Sequence, residues 1–167
     1  MSDAPAAPVV PPTLAARVRI HVADAVDGPA RDGIDTVDVP ADSWFAAAQA
    51  LRDHEGFVRF IDLTVVDDPE AELRFEVHLL TYSMKEHRWG RLRTRTSGAL
   101  ASVFSLYAGA HNYEREAFDM FGVTFAGHPQ LTRILMPDGW KGHPLRRDED
   151  LVVERVDFTV TRDLYKT

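Results

Sequence analysis

Three runs of β-forming residues joined by short polar turns constrain this chain most. Phe57 to Val66 is dense in aromatic and branched residues, and Asp67-Asp68-Pro69 turns the chain after it. In Leu73 to Leu80 the side chains alternate. Leu73, Phe75, Val77 and Leu79 point one way, and Arg74, Glu76 and His78 the other. Met84 to Arg88 is a polar turn, and Trp89 to Thr96 is a third run, with Arg91, Arg93 and Arg95 on one face. Consecutive strands with short connections are most simply an antiparallel meander. Such a sheet has one apolar face, which must be covered.

The segments around the meander supply the cover. Thr13 is placed to cap a helix running to about Ala25, since Leu14, Val18 and Val22 recur every four residues; Val18, Ile20 and Val22 also alternate, so a strand fits as well. Thr36 to Val39 reads as a short strand stopped by Pro40. Asp42 then suits an N-cap, Trp44, Phe45, Ala48 and Leu51 form one helix face, and Gly56 ends it. Beyond the meander, Ser97 is placed to cap a helix whose stripe is Leu100, Val103, Phe104 and Tyr107, ended by Gly109. The expected fold class is α+β: a small, mostly antiparallel sheet with helices packed on it, followed by an extended, loop-rich C-terminal segment. Four parts are expected. Residues 1–12, with four prolines, are a disordered N-terminus; 13–110 form the scaffold; 111–148 form a helix and loops; 149–167 form a C-terminal extension, in which Val156, Phe158 and Val160 alternate.

Composition removes several function classes. The chain has no cysteine, so thiol nucleophiles, disulfides and cysteine-held zinc or iron–sulfur clusters are excluded from it. No apolar run reaches the roughly 18–20 residues needed to span a bilayer. Met1 to Pro12 lacks the features of a signal peptide, so a cytoplasmic chain is expected. The net charge of −7 argues against general nucleic-acid binding. That charge is uneven. Residues 1–72 hold 14 acidic and 5 basic side chains, and residues 73–167 hold 12 and 14, so either the second half faces a partner while the first faces water or the imbalance is chance on a solvated surface.

The densest chemistry lies in residues 111–148. Asn112 suits an N-cap, Glu114 and Glu116 would fall in a first helical turn, and Tyr113, Ala117, Met120 and Phe121 form a stripe ended by Gly122. Two Gly-His-Pro turns follow, Gly127-His128-Pro129 and Gly142-His143-Pro144, with Leu131 to Met136 between them as a brief helix or strand and Asp138-Gly139 as a turn. Three readings compete. His128 and His143 converge with Asp119 or Asp138 on a metal, or they bond backbone in tight turns. Glu114, Glu116 and Asp119 form a paired-carboxylate acid–base site, with Glu116 and Asp119 on one face, or Glu114 and Glu116 stabilise the helix start while Arg115 pairs with Asp119. The third is an interface, because Phe121, Phe125, His128, Arg133, Trp140, His143, Arg146 and Arg147 have the composition of buried interface anchors.

These residues also carry a resemblance. Glu114-Arg115-Glu116, Asp119-Met120-Phe121-Gly122-Val123, Phe125, Gly127-His128-Pro129, Arg133-Ile134-Leu135-Met136-Pro137, Trp140, Gly142-His143-Pro144-Leu145-Arg146 and Asp148 closely resemble the motif of the 30-kDa subunit of respiratory complex I, the family of the bacterial NADH:quinone oxidoreductase C subunits. The resemblance implies a subunit with no redox cofactor and no catalytic residue of its own, the FMN and iron–sulfur clusters lying in partner subunits. It implies a place in the hydrophilic arm on the cytoplasmic side of the membrane, against the quinone-site D (49-kDa) subunit and the iron–sulfur B and I subunits. The motif residues, Glu114 to Asp148 as quoted, would be docking and folding elements. One departure is that Asp148 is followed by Glu149-Asp150-Leu151, where the family commonly has an aromatic residue and a proline. Related complexes that use ferredoxin or a deazaflavin, or that evolve hydrogen, have an equivalent subunit and are the alternative.

Overall fold

In a computed structural model the chain is described over residues 12–29, 32–137 and 139–149. The expectations for residues 1–11, for Asp138 and for the tail beyond Glu149 lie outside these residues.

The three expected strands are present as β3 (Arg59–Asp67), β4 (Phe75–Ser83) and β5 (Arg88–Thr96), paired antiparallel in sequence order. Phe75, Val77 and Leu79 are buried, as the alternation requires, while Leu73 lies before the strand and is exposed. Two further strands, β1 (Val26–Asp27) and β2 (Asp35–Asp38), extend the sheet to the order β1-β2-β5-β4-β3. The β2 to β5 pairing is parallel, so the sheet is mixed, though mostly antiparallel.

Three helices cover one face: α1 (Leu14–Val18), α2 (Trp44–Asp53) and α3 (Ala110–Phe121). Leu14, Val18, Trp44, Ala47, Leu51 and Ala117 share one core with Val65, Val77, Leu79 and Leu92. Gly90 of β5 is where the cover comes closest. A Cβ there would lie 2.6 Å from the Phe57 ring and 3.1 Å from Leu14, so the absent side chain makes room for both. Arg91, Arg93 and Arg95 lie on the opposite face, each ion-paired, to Asp32, Asp38 and Glu76 respectively.

Four local expectations are corrected. Thr13 does cap α1, its hydroxyl accepting the Ala16 N–H at 3.1 Å, but the helix stops at Val18; the chain then turns, and the Arg19 side chain donates to the Ala25 carbonyl across the turn. Asp42 does not cap α2, because Ala41–Ser43 form a 3-10 turn in front of it and no side chain caps the helix. Leu131 to Met136 forms neither helix nor strand.

The fourth correction is the largest. Ser97 to Gly109 is not a helix. Thr96 Oγ1 accepts the N–H groups of Gly98 and Ala99, the chain stays extended as β6 (Ala99–Ala101), and a tight turn follows in which Leu106 and Tyr107 both donate to the Val103 carbonyl. β6 pairs parallel with β7 (Thr124–Ala126), which α3 delivers to its side. Leu100, Val103 and Tyr107 are buried as expected, from a strand and a turn instead of a helix face. Among the described residues no helix is long and apolar enough to cross a membrane.

Candidate functional site

α3 starts at Ala110, three residues earlier than an Asn112 cap implies, with Gly109 at its N-cap and no acidic residue in its first turn. Asn112 is therefore inside the helix, where its Oδ1 meets His111 and Arg115. The charged residues of α3 then separate by face. Glu114 is fully buried, Glu116 is exposed, and Asp119 is fully buried. The helix ends at Gly122, with φ +78°, a left-handed conformation that glycine adopts without strain. A Cβ at Gly122 would also press on Arg146 and lie 2.6 Å from His143 Nε2, so the helix end and the later loop meet there.

Residues 127–137 and 139–149 form a strap that returns over α3, and polar bonds made inward fix its path. Asp119 Oδ2 accepts the backbone N–H groups of Ile134, Leu135 and Met136 at 2.9, 2.8 and 2.9 Å, and Oδ1 accepts from Arg133 at 2.6 Å. The expected Arg115–Asp119 pair is thus replaced. Arg115 donates instead to the carbonyls of Thr132 and Arg133, both at 3.1 Å. Burial pushes the Asp119 carboxyl up, but the three N–H groups and Arg133 outweigh it and bring the group down to about 2.

The second half of the strap is tied in the same way. Arg133 also reaches the Gly142 carbonyl at 3.0 Å, His143 Nδ1 donates to the Asp119 carbonyl at 3.0 Å, and Arg146 donates to Phe121 O at 2.5 Å. The far end is fastened to the sheet. Arg74 pairs with both Asp67 and Asp148, the Arg147 N–H donates to Asp67 Oδ2 at 2.7 Å, and Arg74 and Arg146 both lie over the Phe75 ring. These bonds hold the Asp67 and Asp148 carboxyls below their usual range, Asp148 at about 2 through its Arg74 contact. Asp67 and Arg74 were not singled out from the sequence. Their signal was present only as a charged strand end beside a turn.

Two of the three competing readings lose their geometry. Both Asp119 oxygens are taken by strap donors, and Glu116 makes no contact with it that would form an acid–base pair. His128 Nε2 donates to the His111 carbonyl at 3.1 Å, and its Nδ1 accepts the Gln130 N–H. With His143 also on a backbone carbonyl, the histidines bond backbone in tight turns, and among the described residues no three His, Asp or Glu side chains gather as a metal site. Gly127 and Pro129 are exposed at the first Gly-His-Pro turn, while Pro144 and Trp140 are half-buried.

Leu131 packs against the core, while three other large apolar side chains of the strap point outward. Ile134, Leu135 and Leu145 are 38%, 56% and 55% exposed. Arg115, Asp119, Arg133, Arg146 and Asp148 hold the strap to its own chain, and Ile134, Leu135 and Leu145 are displayed.

The comparisons with known proteins agree with this layout. The family described as "Respiratory-chain NADH dehydrogenase, 30 Kd subunit" matches residues 37–154, which includes the meander, α3 and the whole strap. The chain is 39% identical over 158 residues to the C subunit of the NADH-quinone oxidoreductase of Roseiflexus castenholzii, covering 91% of each protein. It is 43% identical over 121 residues to the protein of the same name from Phenylobacterium zucineum, covering 70% of this chain but only 58% of that relative's length. A chain in the structure of the membrane-bound sulfane sulfur reductase, an archaeal respiratory membrane complex, superposes with a TM-score of 0.65 at 22% identity, over 81% of this chain and 82% of that one; it shares the fold. With the meander, α3 and the strap inside the matched span, the chain belongs to the respiratory-chain NADH dehydrogenase 30-kDa subunit family.

Proposed function

We propose that the chain is a structural and assembly subunit of the peripheral arm of a proton-pumping NADH:quinone oxidoreductase, with no catalytic residue or cofactor of its own. In this role it docks on the quinone-site D subunit and the iron–sulfur B and I subunits, at the cytoplasmic side of the membrane, while FMN and the iron–sulfur clusters of partner subunits carry electrons from NADH to quinone. The observation that supports this best is the inverted strap. A segment that spends Arg133, Arg146 and Asp148 on its own fold and turns Ile134, Leu135 and Leu145 outward is built to offer an apolar surface of fixed shape. The names of its relatives supply the assembly.

Affinity purification of the tagged chain from its cells tests the proposal. The D, B and I subunits should come with it, and deletion should remove arm assembly and NADH:quinone activity together. Recovery of a stable single chain without iron–sulfur partners would end this reading. A second reading, the equivalent subunit of a complex with another electron donor, draws on the fold shared with the sulfane sulfur reductase chain. Replacing NADH by other donors in the purified complex separates the two.

A further inference from the structure

Glu114 is buried in a way that the docking role does not use. It is 0% exposed. Its Oε1 accepts the Val103 N–H at 2.7 Å, its Oε2 lies 2.5 Å from Ser102 Oγ, and Ser102 Oγ in turn accepts the Phe104 N–H. The groups that face it can be taken element by element. The segment carrying Ser102, Val103 and Phe104 brings no charge. α3 brings His111, one turn earlier, while Arg115 spends its guanidinium on the carbonyls of Thr132 and Arg133. The first Gly-His-Pro turn brings His128, whose Nε2 is 4.0 Å from Glu114 Oε2.

His128 is the natural counter-ion, yet its bonds forbid that role. Nδ1 accepts the Gln130 N–H, so it carries no hydrogen, and Nε2 donates to the His111 carbonyl. An imidazolium would set an N–H against the Gln130 N–H. Its side chain is buried, and burial pushes its pKa down, which agrees with a neutral ring. An ionised Glu114 would thus be a buried charge that the nearby His128 ring cannot balance, a costly state offset only by the His111 ring one turn earlier on α3. Burial pushes its carboxyl up, against the hydrogen bonds from Ser102 and Val103.

We propose that Glu114 is a proton-operated latch at the junction of α3, the Ser102–Phe104 turn and the His128–Gln130 turn where the strap begins. With its proton in place, the carboxyl bridges Ser102 and Val103 as a neutral group and the junction is closed. When the proton leaves to solvent, the poorly compensated buried charge draws water into the junction, and hydration of the carboxylate opens the amides of Val103, Phe104 and Gln130 to solvent although the charge by itself favours the Val103 bond. The sign is that of an acid raised by folding. The stability it contributes is full below the unfolded-state value and is lost as pH rises through the folded value.

The test is infrared spectroscopy of the full chain together with amide hydrogen exchange across a pH series. At the lowest pH of the series where ordinary glutamates, near 4.3, are mostly ionised, a protonated carboxyl band should remain, and Glu114→Gln should lack it. As that band disappears with rising pH, the amides of Val103, Phe104 and Gln130 should lose protection beyond the intrinsic change in exchange rate. Absence of the band at that pH in the unaltered chain overturns the proposal, whether or not the variant folds. So does a band that survives in Glu114→Gln, or protection at the three amides that does not follow it.

Discussion

Four hydrogen bonds end on the Asp119 carboxylate, and they decide how the strap is held. Replacing Asp119 by Ala leaves Arg133 and three backbone N–H groups without their acceptor. Losing one side of a buried charged arrangement typically costs about 3–5 kcal/mol, and denaturant unfolding should show a loss of that size. The group is held at about 2, so its contribution is present above the ordinary carboxylate value of about 3.9 and is lost as pH falls from there toward 2. Asp119→Asn should therefore flatten the acid limb of the stability profile between those values. Gly122→Ala meets two penalties at once. The left-handed conformation costs a residue with a Cβ about 1–2 kcal/mol, and the new atom displaces His143 and Arg146 from the helix end. Gly122 as a helix stop was legible in the sequence, because only local chemistry is involved. The partner of Asp119 was not. Spacing offered Arg115 four residues away, while the true donors arrive from a loop fourteen to seventeen residues later, and no periodicity reports a chain that doubles back.

At the level of elements, the same division holds. The meander was readable because a period of two and polar turns are properties of neighbouring residues. β2 beside β5 was readable as a strand but not as a parallel neighbour, since that pairing joins segments about 55 residues apart. Ser97 to Gly109 misled because Leu100, Val103 and Tyr107 satisfy helical spacing, yet Leu100 is buried from β6, paired with β7 about 25 residues away, and Val103 and Tyr107 from the turn after it, where the Tyr107 hydroxyl reaches the Phe57 carbonyl. The fastening between strap and sheet gives a prediction at this scale. Arg74 serves two carboxylates of unlike exposure, the Asp67 side chain being 2% exposed and that of Asp148 54%. Arg74→Ala strands the buried Asp67 with only the Arg147 N–H, and should cost about 3 kcal/mol and expose the amides of residues 145–149 to exchange. Asp148→Ala removes a bond half in water and should change stability far less while loosening the same amides. Comparing the two variants by hydrogen exchange separates the fastening of the strap from the burial of Asp67.

The whole molecule has one face of its sheet under helices and a strap whose polar side is used up internally. The outward residues of that strap can therefore be changed without disturbing the bonds that shape it. Leu135→Asp and Leu145→Asp alter side chains more than half exposed whose backbone N–H groups, bonded to Asp119 and to the Met120 carbonyl, are retained. Exposed substitutions of this kind usually stay within about 0.5 kcal/mol of the parent, so the isolated double variant should unfold at nearly the same denaturant concentration. In the assembled complex the same two positions would place carboxylates in a desolvated apolar contact. A loss of about 2 kcal/mol or more is typical of interface anchors and corresponds to roughly a thirtyfold weaker association. Ile20, which is more exposed still but belongs to the turn after α1, provides the comparison. Ile20→Asp should leave recovery of the partner subunits unchanged, while Leu135→Asp with Leu145→Asp should reduce it sharply at equal chain stability. Equal recovery from both would mean that the apolar side of the strap is not the docking surface, even if the chain still proved to be a subunit of the complex.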